Sequence, residues 1–229
     1  GAELLSLRRE IQMVFQDPYS SLNPRMTVGE IVREPLVVHG IGRKAEQVQR
    51  VRALFETVGL AADAMSRYPS EFSGGQRQRI GVARALALNP KLVIADEPVS
   101  ALDVSVQSQV LNLMVRLQRE RGLTYVFISH DLSVVEHVSD AVAIMYLGRI
   151  VEQGPVDRIF GQPAHPYTRA LMQAIPSTNP RQRRETVPLQ GETPSPTATP
   201  PGCVFSQLSP MSSQRARSGR AVARSASTV

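Results

Sequence analysis

The hydrophobic and polar pattern of the chain changes character near residue 90. Before that point, one short apolar run, Ile11 to Phe15, predicts a strand that ends at Gln16 and runs into the polar loop "QDPYSSLNPR". Thr27 and Glu30 have capping-box spacing ahead of an apolar run, so a helix is predicted to start near Val28. Residues 43–58 are charged and periodic, and Gly59 is placed to end the helix they predict. Tyr68-Pro69-Ser70 breaks the chain. Ser73 then reads as an N-cap, with a helix over 76–88 stopped by Asn89-Pro90. Beyond residue 90 the pattern alternates. Strands are predicted at 91–95, 124–128 and 141–146, with a helix from about 104 to 120 ended by Gly122. That alternation predicts an α/β fold with a mostly parallel sheet covered by helices, and makes residues 27–88 a helical insertion. "PVDRIF" and "PYTRALMQAI" predict two final helices. From Pro176 the composition turns to Pro, Thr, Ser and Arg, which predicts a linker or disorder.

Composition narrows this picture only slightly. The chain has 229 residues, 42% of them hydrophobic, enough for a substantial core. No apolar run approaches the ~18–20 residues of a membrane span, and no signal-peptide pattern follows Gly1. Cys203 is the only cysteine, so no internal disulfide forms. The net charge of +6 suggests nucleic acid until its distribution is considered. Arg215, Arg217, Arg220 and Arg224 lie in a stretch without acids, residues 206–229, so most of the excess belongs to the tail.

Several short stretches carry possible chemistry. "LVIADEP" (92–98) is an apolar strand that ends in two carboxylates, Asp96 and Glu97. Ligands of open α/β sheets sit beyond the carboxyl ends of strands, where such a pair suits a hydrated metal ion and a base. "SGGQRQR" (73–79) places Ser73, Gly74, Gly75 and Gln76 at a helix start, where free N–H groups favour anions. Alone it equally fits an ordinary glycine-containing loop with a serine cap. "ISHD" puts His130 just past a strand, where its imidazole can donate to a phosphate oxygen; Ser129 or Asp131 as a plain helix cap is the simpler alternative. Gln16 closes a strand and can offer its amide to a metal ion or a water, or be only a polar loop residue. Asp103 of "SALD" (100–103) is placed to cap the helix at 104. His39, His137 and His165 are expected to be surface or packing residues.

The order of these stretches is more telling than any one of them. Strand–Gln, helical insertion, Ser-Gly-Gly-Gln, strand–Asp-Glu-Pro, Ser-Ala-Leu-Asp and strand–Ser-His-Asp together resemble the ATP-binding subunit of an ABC transporter, over residues 1 to about 205. "VFQDP" matches the family's Q-loop, "FSGGQ" its signature with Phe72 for the usual Leu, "LVIADEP" its Walker B strand, "SALD" its D-loop and "ISHD" its switch histidine. The resemblance implies a P-loop NTPase-like fold and ATP hydrolysis that powers solute import. It implies that Asp96 orders Mg²⁺ through water, that Glu97 is the general base, that Gln16 contacts Mg²⁺ and the membrane partner, and that His130 holds the γ-phosphate. Ser73, Gly74, Gly75 and Gln76 would close over ATP on a second ATPase subunit, with Asp103 coupling the two sites. "DPYSSLNPRMTVGEIVREPL", "HPYTRALMQAIP" and "GETPSPTATPPGCVF" are similar to dipeptide and oligopeptide importers, and nickel and glutathione importers share them.

The implied partners are a second ATPase subunit, transmembrane permease subunits and, indirectly, a solute-binding protein, without nucleic acid. The implied location is peripheral, on the cytoplasmic face of the membrane. A soluble ABC ATPase of DNA repair or translation, and a non-catalytic remnant that only docks on a membrane partner, are the competing readings.

The family's phosphate loop, G-x-x-x-x-G-K-[ST], does not occur in residues 1–229. It is expected upstream of the Gln16 strand, as in a truncated product or incomplete gene, and the chain as given is expected to be inactive alone. The domain expectation is an ATPase domain over 1–175, with the helical subdomain at 27–88. A linker of importer type would follow over 176–205, then a Ser/Arg-rich disordered tail over 206–229. The family pattern stops after Phe205, which suggests a frameshift near residue 206, and one cysteine is too few for an iron–sulfur cluster.

Overall fold

The computed structural model describes residues 2–175. The expected linker and tail, Cys203 with them, lie outside the described residues. The described residues fall into two compact units, 2–131 and 132–175.

In the first unit, α1 (Ala2–Glu10) leads into β1 (Ile11–Val14), an opening helix that the sequence pattern does not announce. Next come α2 (Val28–Val38), α3 (Lys44–Thr57), two short 3-10 turns (Ala62–Ser66 and Pro69–Glu71) and α4 (Gly74–Leu86). β2 (Leu92–Asp96), α5 (Val104–Arg121) and β3 (Thr124–Ile128) complete it. Between β1 and β2 the regular elements are thus all helical, α2 to α4 and the two 3-10 turns. Helix α4 starts earlier than predicted, because both glycines of "SGGQ" lie inside its first turn.

Each helix end has a local cause. Thr27 Oγ1 accepts from Glu30 N (3.4 Å) while Glu30 Oε2 accepts from Thr27 N (2.9 Å), the reciprocal box read from the sequence. Apolar residues at helical spacing, Val28, Ile31, Val32 and Leu36, then bury one face of α2. The carbonyls at the end of α3 are met by arginines: Arg116 donates to Thr57 O (2.9 Å) and Arg79 to Val58 O (3.2 Å). Cations there balance the helix dipole. Gly122 ends α5 in the left-handed region (φ 62°), as expected.

The three strands form one parallel sheet in the order β1-β2-β3. Val14 stands opposite Ala95, and Asp96 opposite Ile128. With parallel strands in this register, all three carboxyl ends reach the same edge. Val14 and Val93 join Leu36, Phe55, Ile80, Leu86 and Leu117 in a core that ties sheet to helices.

The second unit contains α6 (Leu132–Val138), β4 (Ala141–Tyr146), β5 (Arg149–Pro155), α7 (Val156–Gly161) and α8 (Pro166–Ala174). The two predicted final helices are α7 and α8. The strand at 141–146 departs from expectation: it pairs antiparallel with β5, which the sequence pattern did not suggest, in a two-stranded sheet. The cause is the turn between them. Leu147 (φ 46°) and Gly148 (φ 74°) both take positive φ, the geometry whose twist suits a two-residue hairpin. His165 has a packing role: its Nδ1 accepts from Tyr167 N (3.1 Å) at the start of α8.

The Thr27 cap is directly testable. Thr27→Ala should lower the unfolding free energy by about 0.5–2 kcal/mol in urea melts, because an N–H at the start of α2 loses its acceptor.

Candidate functional site

The parallel ladder gathers three residues from three strand ends. Gln16 lies two positions past β1, Glu97 directly follows β2, and His130 lies two positions past β3. Gln16 Nε2 donates to Glu97 Oε2 (2.7 Å), and His130 Nδ1 lies 3.1 Å from Glu97 Oε1. Both oxygens of one carboxylate are therefore engaged by predicted site residues 81 and 33 positions away in sequence. Glu97 is only 24% exposed at its side chain, whereas His130 is 71% exposed.

The backbone at Glu97 is unusual. Its φ of 41° lies in the left-handed region, which a non-glycine residue occupies at a cost of about 1–3 kcal/mol. Hydrogen bonds on both sides hold it there. Glu97 N donates to Ile128 O (2.9 Å), which extends the β2–β3 ladder by one residue, and Glu97 O accepts from Ser100 N (3.2 Å) and Ser100 Oγ (3.1 Å). Ser100, the first residue of "SALD", thereby closes the turn after β2. Its role follows from the turn, which spacing alone does not reveal. The bend turns the Glu97 side chain to where Gln16 and His130 can reach it.

The hydrogen bond from His130 is the main influence that holds the Glu97 carboxyl below the usual glutamate range, and Ser100 and Gln16 act in the same direction. Glu97 is thus anionic at neutral pH with both oxygens occupied. Asp96, the last residue of β2, takes no side-chain hydrogen bond from the described residues. No group of three or more His, Cys, Asp or Glu able to hold a metal occurs among the described residues.

The second cluster lies at the start of α4. Ser73 Oγ accepts from Gln76 N (3.3 Å), and Gln76 Oε1 accepts from Ser73 N (3.0 Å). The glycines answer to packing. A Cβ on Gly74 would stand 3.3 Å from Leu102 Cδ2, and one on Gly75 would overlap Val106 Cγ1. The "SGGQ" helix start therefore lies against the end of "SALD" and the first turn of α5. Asp103 occupies the N-cap position of α5, and its carbonyl accepts from Val106 N (2.9 Å) and Gln107 N (2.8 Å). Its side chain makes no cap hydrogen bond, contrary to the predicted capping role. Gln107 Nε2 instead bonds Leu102 O (2.9 Å), so the turn is closed without the carboxylate, which stays exposed. Ser129 Oγ accepts from Asp131 N (3.0 Å), a local bond that closes the turn around His130.

Comparison with known proteins gives these clusters a context. Residues 2–100 match the ABC transporter family model, and residues 151–215 match that of the oligopeptide/dipeptide transporter C-terminal region. The chain is 59% identical over 198 residues to the dipeptide transport ATP-binding protein DppF of Escherichia coli, covering 86% of this chain and 59% of that protein. It is 55% identical over 215 residues to a probable peptide ABC transporter ATP-binding protein, y4tS, of Sinorhizobium fredii, covering 94% and 61%. It thus spans about three fifths of the length of these relatives. Among solved structures, cbiO1 of Clostridium perfringens, part of the transporter complex cbiONQ, superposes with a TM-score of 0.63 at 30% identity, over 70% of this chain and 63% of that one. The ATP-binding cassette MJ0796, bound to ADP and phosphate, gives 0.59 at 31% identity, over 68% and 67%.

Two measurements probe the geometry without any ligand. Gly75→Ala should destabilise the chain by about 1–3 kcal/mol through overpacking, and Val106→Ala in the same chain should recover most of the loss; denaturant melts of the single and double variants beside the unaltered chain read this. In a carboxyl-resolved NMR titration, Glu97 should titrate below an ordinary glutamate, and His130→Ala should move it upward. Because the folded pKa is depressed, the associated stabilisation is present above the ordinary glutamate range and disappears as pH falls through the lowered value.

Proposed function

We propose, from the premise that the chain belongs to the ABC transporter ATPases, that its residues supply the hydrolytic edge and the signature face of an ATPase that drives solute import, with dipeptides or oligopeptides as the solute. The observation that carries this reading is the carboxylate of Glu97 shared between Gln16 and His130. General-base catalysis on water needs an ionised acid near the reacting phosphate, with neighbours that change partner when the phosphate arrives.

The arrangement supports a sequence of exchanges. In the resting geometry Gln16 and His130 occupy both oxygens of Glu97. A γ-phosphate at the sheet edge offers His130 a stronger acceptor, and the amide of Gln16 a second one. Glu97 is then released to accept a proton from the attacking water. Its lowered pKa in the resting state belongs to the His130 contact, so release also raises its basicity. Phosphoryl transfer depends mainly on such positioning and on charge stabilisation.

Asp96 suits Mg²⁺. That ion keeps several waters and takes one or two carboxylates together with phosphate oxygens, and Asp96, next to Glu97 in sequence, presents a carboxylate with no hydrogen bond from the described residues. When bound, Mg²⁺ would offset the charge that develops on the phosphates. Ser73 to Gln76 present a helix start for phosphate of ATP held by a second subunit, and Gly75 lets that helix approach α5 closely. Asp103, with its side chain free of the cap, is left to face the partner subunit.

The partner at the membrane is a permease subunit. An open groove of 540 Å³ lined by Met13, Phe15, Pro35, Val38, Arg84 and others borders the strand that leads to Gln16. Phe15 (46% exposed) and Val38 (67%) give it an apolar lining that suits a short permease segment. No helix among the described residues is long and apolar enough to cross a membrane, so attachment in this reading is peripheral. The match of residues 151–215 to a peptide-transporter region supports transport over a soluble role in DNA repair or translation.

The test joins Gly1 to a segment that carries the family phosphate loop and compares two variants. Glu97→Gln should lower hydrolysis by about 10²–10⁴-fold while ATP still binds and a closed dimer accumulates. Ser73→Arg should leave ATP binding to the monomer nearly intact yet prevent the dimer. Size-exclusion chromatography with Mg-ATP separates the two. Normal hydrolysis by a monomeric Glu97→Gln would remove Glu97 from the role of base.

A further inference from the structure

Gln16 leaves β1 into a loop that has little regular structure of its own. Asp17 folds its start: Oδ1 accepts from Tyr19 N (2.8 Å), Oδ2 from Ser20 N (3.3 Å), and Asp17 O from Ser21 N (3.1 Å). Those bonds shape the loop but do not say where it sits. Pro18 and Leu22 anchor it by burial, and two arginines of α4, seven residues apart and so on one helix face, hold the residues between and before them.

Arg84 reaches the root of the loop. Its guanidinium lies 5.6 Å from the Phe15 ring centroid, and Nη1 donates to Ser21 O. Arg77 reaches the tip. Its guanidinium lies 4.0 Å from the Tyr19 ring centroid, while Nε donates to Pro69 O (2.7 Å) and Nη2 to Ser70 O (3.3 Å). Arg77 is only 8% exposed, whereas Tyr19 is 66% exposed. Burial therefore does not hold the Tyr19 ring. A planar cation, fixed from below by two carbonyls, offers the ring a seat, and a guanidinium stacks on an aromatic face as an ammonium does not.

Arg77 is the residue directly after the "SGGQ" start of α4, and Pro69 and Ser70 belong to the turn directly before it. One side chain thus joins both flanks of the helix start to the loop that carries Gln16. We infer that Arg77 and Tyr19, with Arg84 on Phe15 and Ser21, are positioning residues that set the Gln16 amide over Glu97 and make its placement follow that of the α4 start. Whatever shifts the α4 N-terminus, such as a phosphate bound there, then moves Gln16 as well. Neither arginine touches the reacting atoms, and their effect passes through the loop. The catalytic consequence rests on the proposed roles of Gln16 and Glu97, but the mechanical link does not.

The experiment therefore has two arms. The first uses the 229-residue chain and amide hydrogen exchange, with α3 amides as internal control. Tyr19 is exposed, so its variants fold. Tyr19→Leu should speed exchange at Ser20 to Leu22 by about 2–5-fold, and Tyr19→Phe, which keeps the π face, should not. Arg77→Lys should act on the same amides, and the double variant should add little. Unchanged exchange in Tyr19→Leu, or full additivity, overturns the link. The second arm uses the chain joined to the phosphate-loop segment. Tyr19→Leu should lower kcat by about 10-fold with KM for ATP unmoved, because alignment rather than ATP binding is lost. Faster loop exchange with kcat unchanged overturns the positioning role. Normal hydrolysis by Glu97→Gln in the same system instead removes the functional reading and leaves the exchange result standing.

Discussion

The site depends on the register of one small parallel sheet. Three strands with aligned ends place Gln16, Glu97 and His130 at one edge, and the Glu97 N to Ile128 O bond carries the ladder one residue beyond β2. That bond helps hold Glu97 at a positive φ, and the resulting bend lets one carboxylate meet both partners. A one-residue slip of any strand would turn its terminal side chain to the opposite face. The core formed by Val14 and Val93 with the helices of the first unit holds the strands in place.

The helical insertion contributes through contact at its end. The start of α4 is fixed three ways: by the Ser73–Gln76 cap, by Gly74 and Gly75 against Leu102 and Val106, and by Arg77 on Pro69 and Ser70. Each restraint leads to a different neighbour, within the helix, toward α5 and the "SALD" turn, and toward the turn before the signature. The first N–H groups of a helix have no partner within it, as an anion site requires, and at α4 that of Gln76 is taken by Ser73 Oγ.

Much of this was legible from local sequence because the causes are local. The Thr27–Glu30 box, the Gly122 stop and the Ser73 cap each depend on residues a few positions apart. The apolar strand before Asp96-Glu97 has the same character, and even the candidate residues could be named in order. Structure and local pattern part where a local signal has more than one use. Asp103 looks like a helix cap by spacing, yet Gln107 closes that turn and the carboxylate is free. The strand at 141–146 looks like another parallel strand until Leu147 and Gly148, both at positive φ, fold the chain back on itself.

By itself the sequence determined the helical and extended segments of the first unit after its opening helix, and the residue types at the strand ends, since periodicity, caps and turn residues act over a few positions. It also offered Gln16, Glu97 and His130 as residues at strand ends suited to metal, water or phosphate contacts. Only the tertiary structure decided that the three meet, because their contact depends on strand register across 81 and 33 positions. It alone decided why Gly75 has no side chain, since the space belongs to Val106, 31 residues later. It alone placed Arg77 under Tyr19, for no spacing rule links a cation on one helix to an aromatic ring 58 residues earlier.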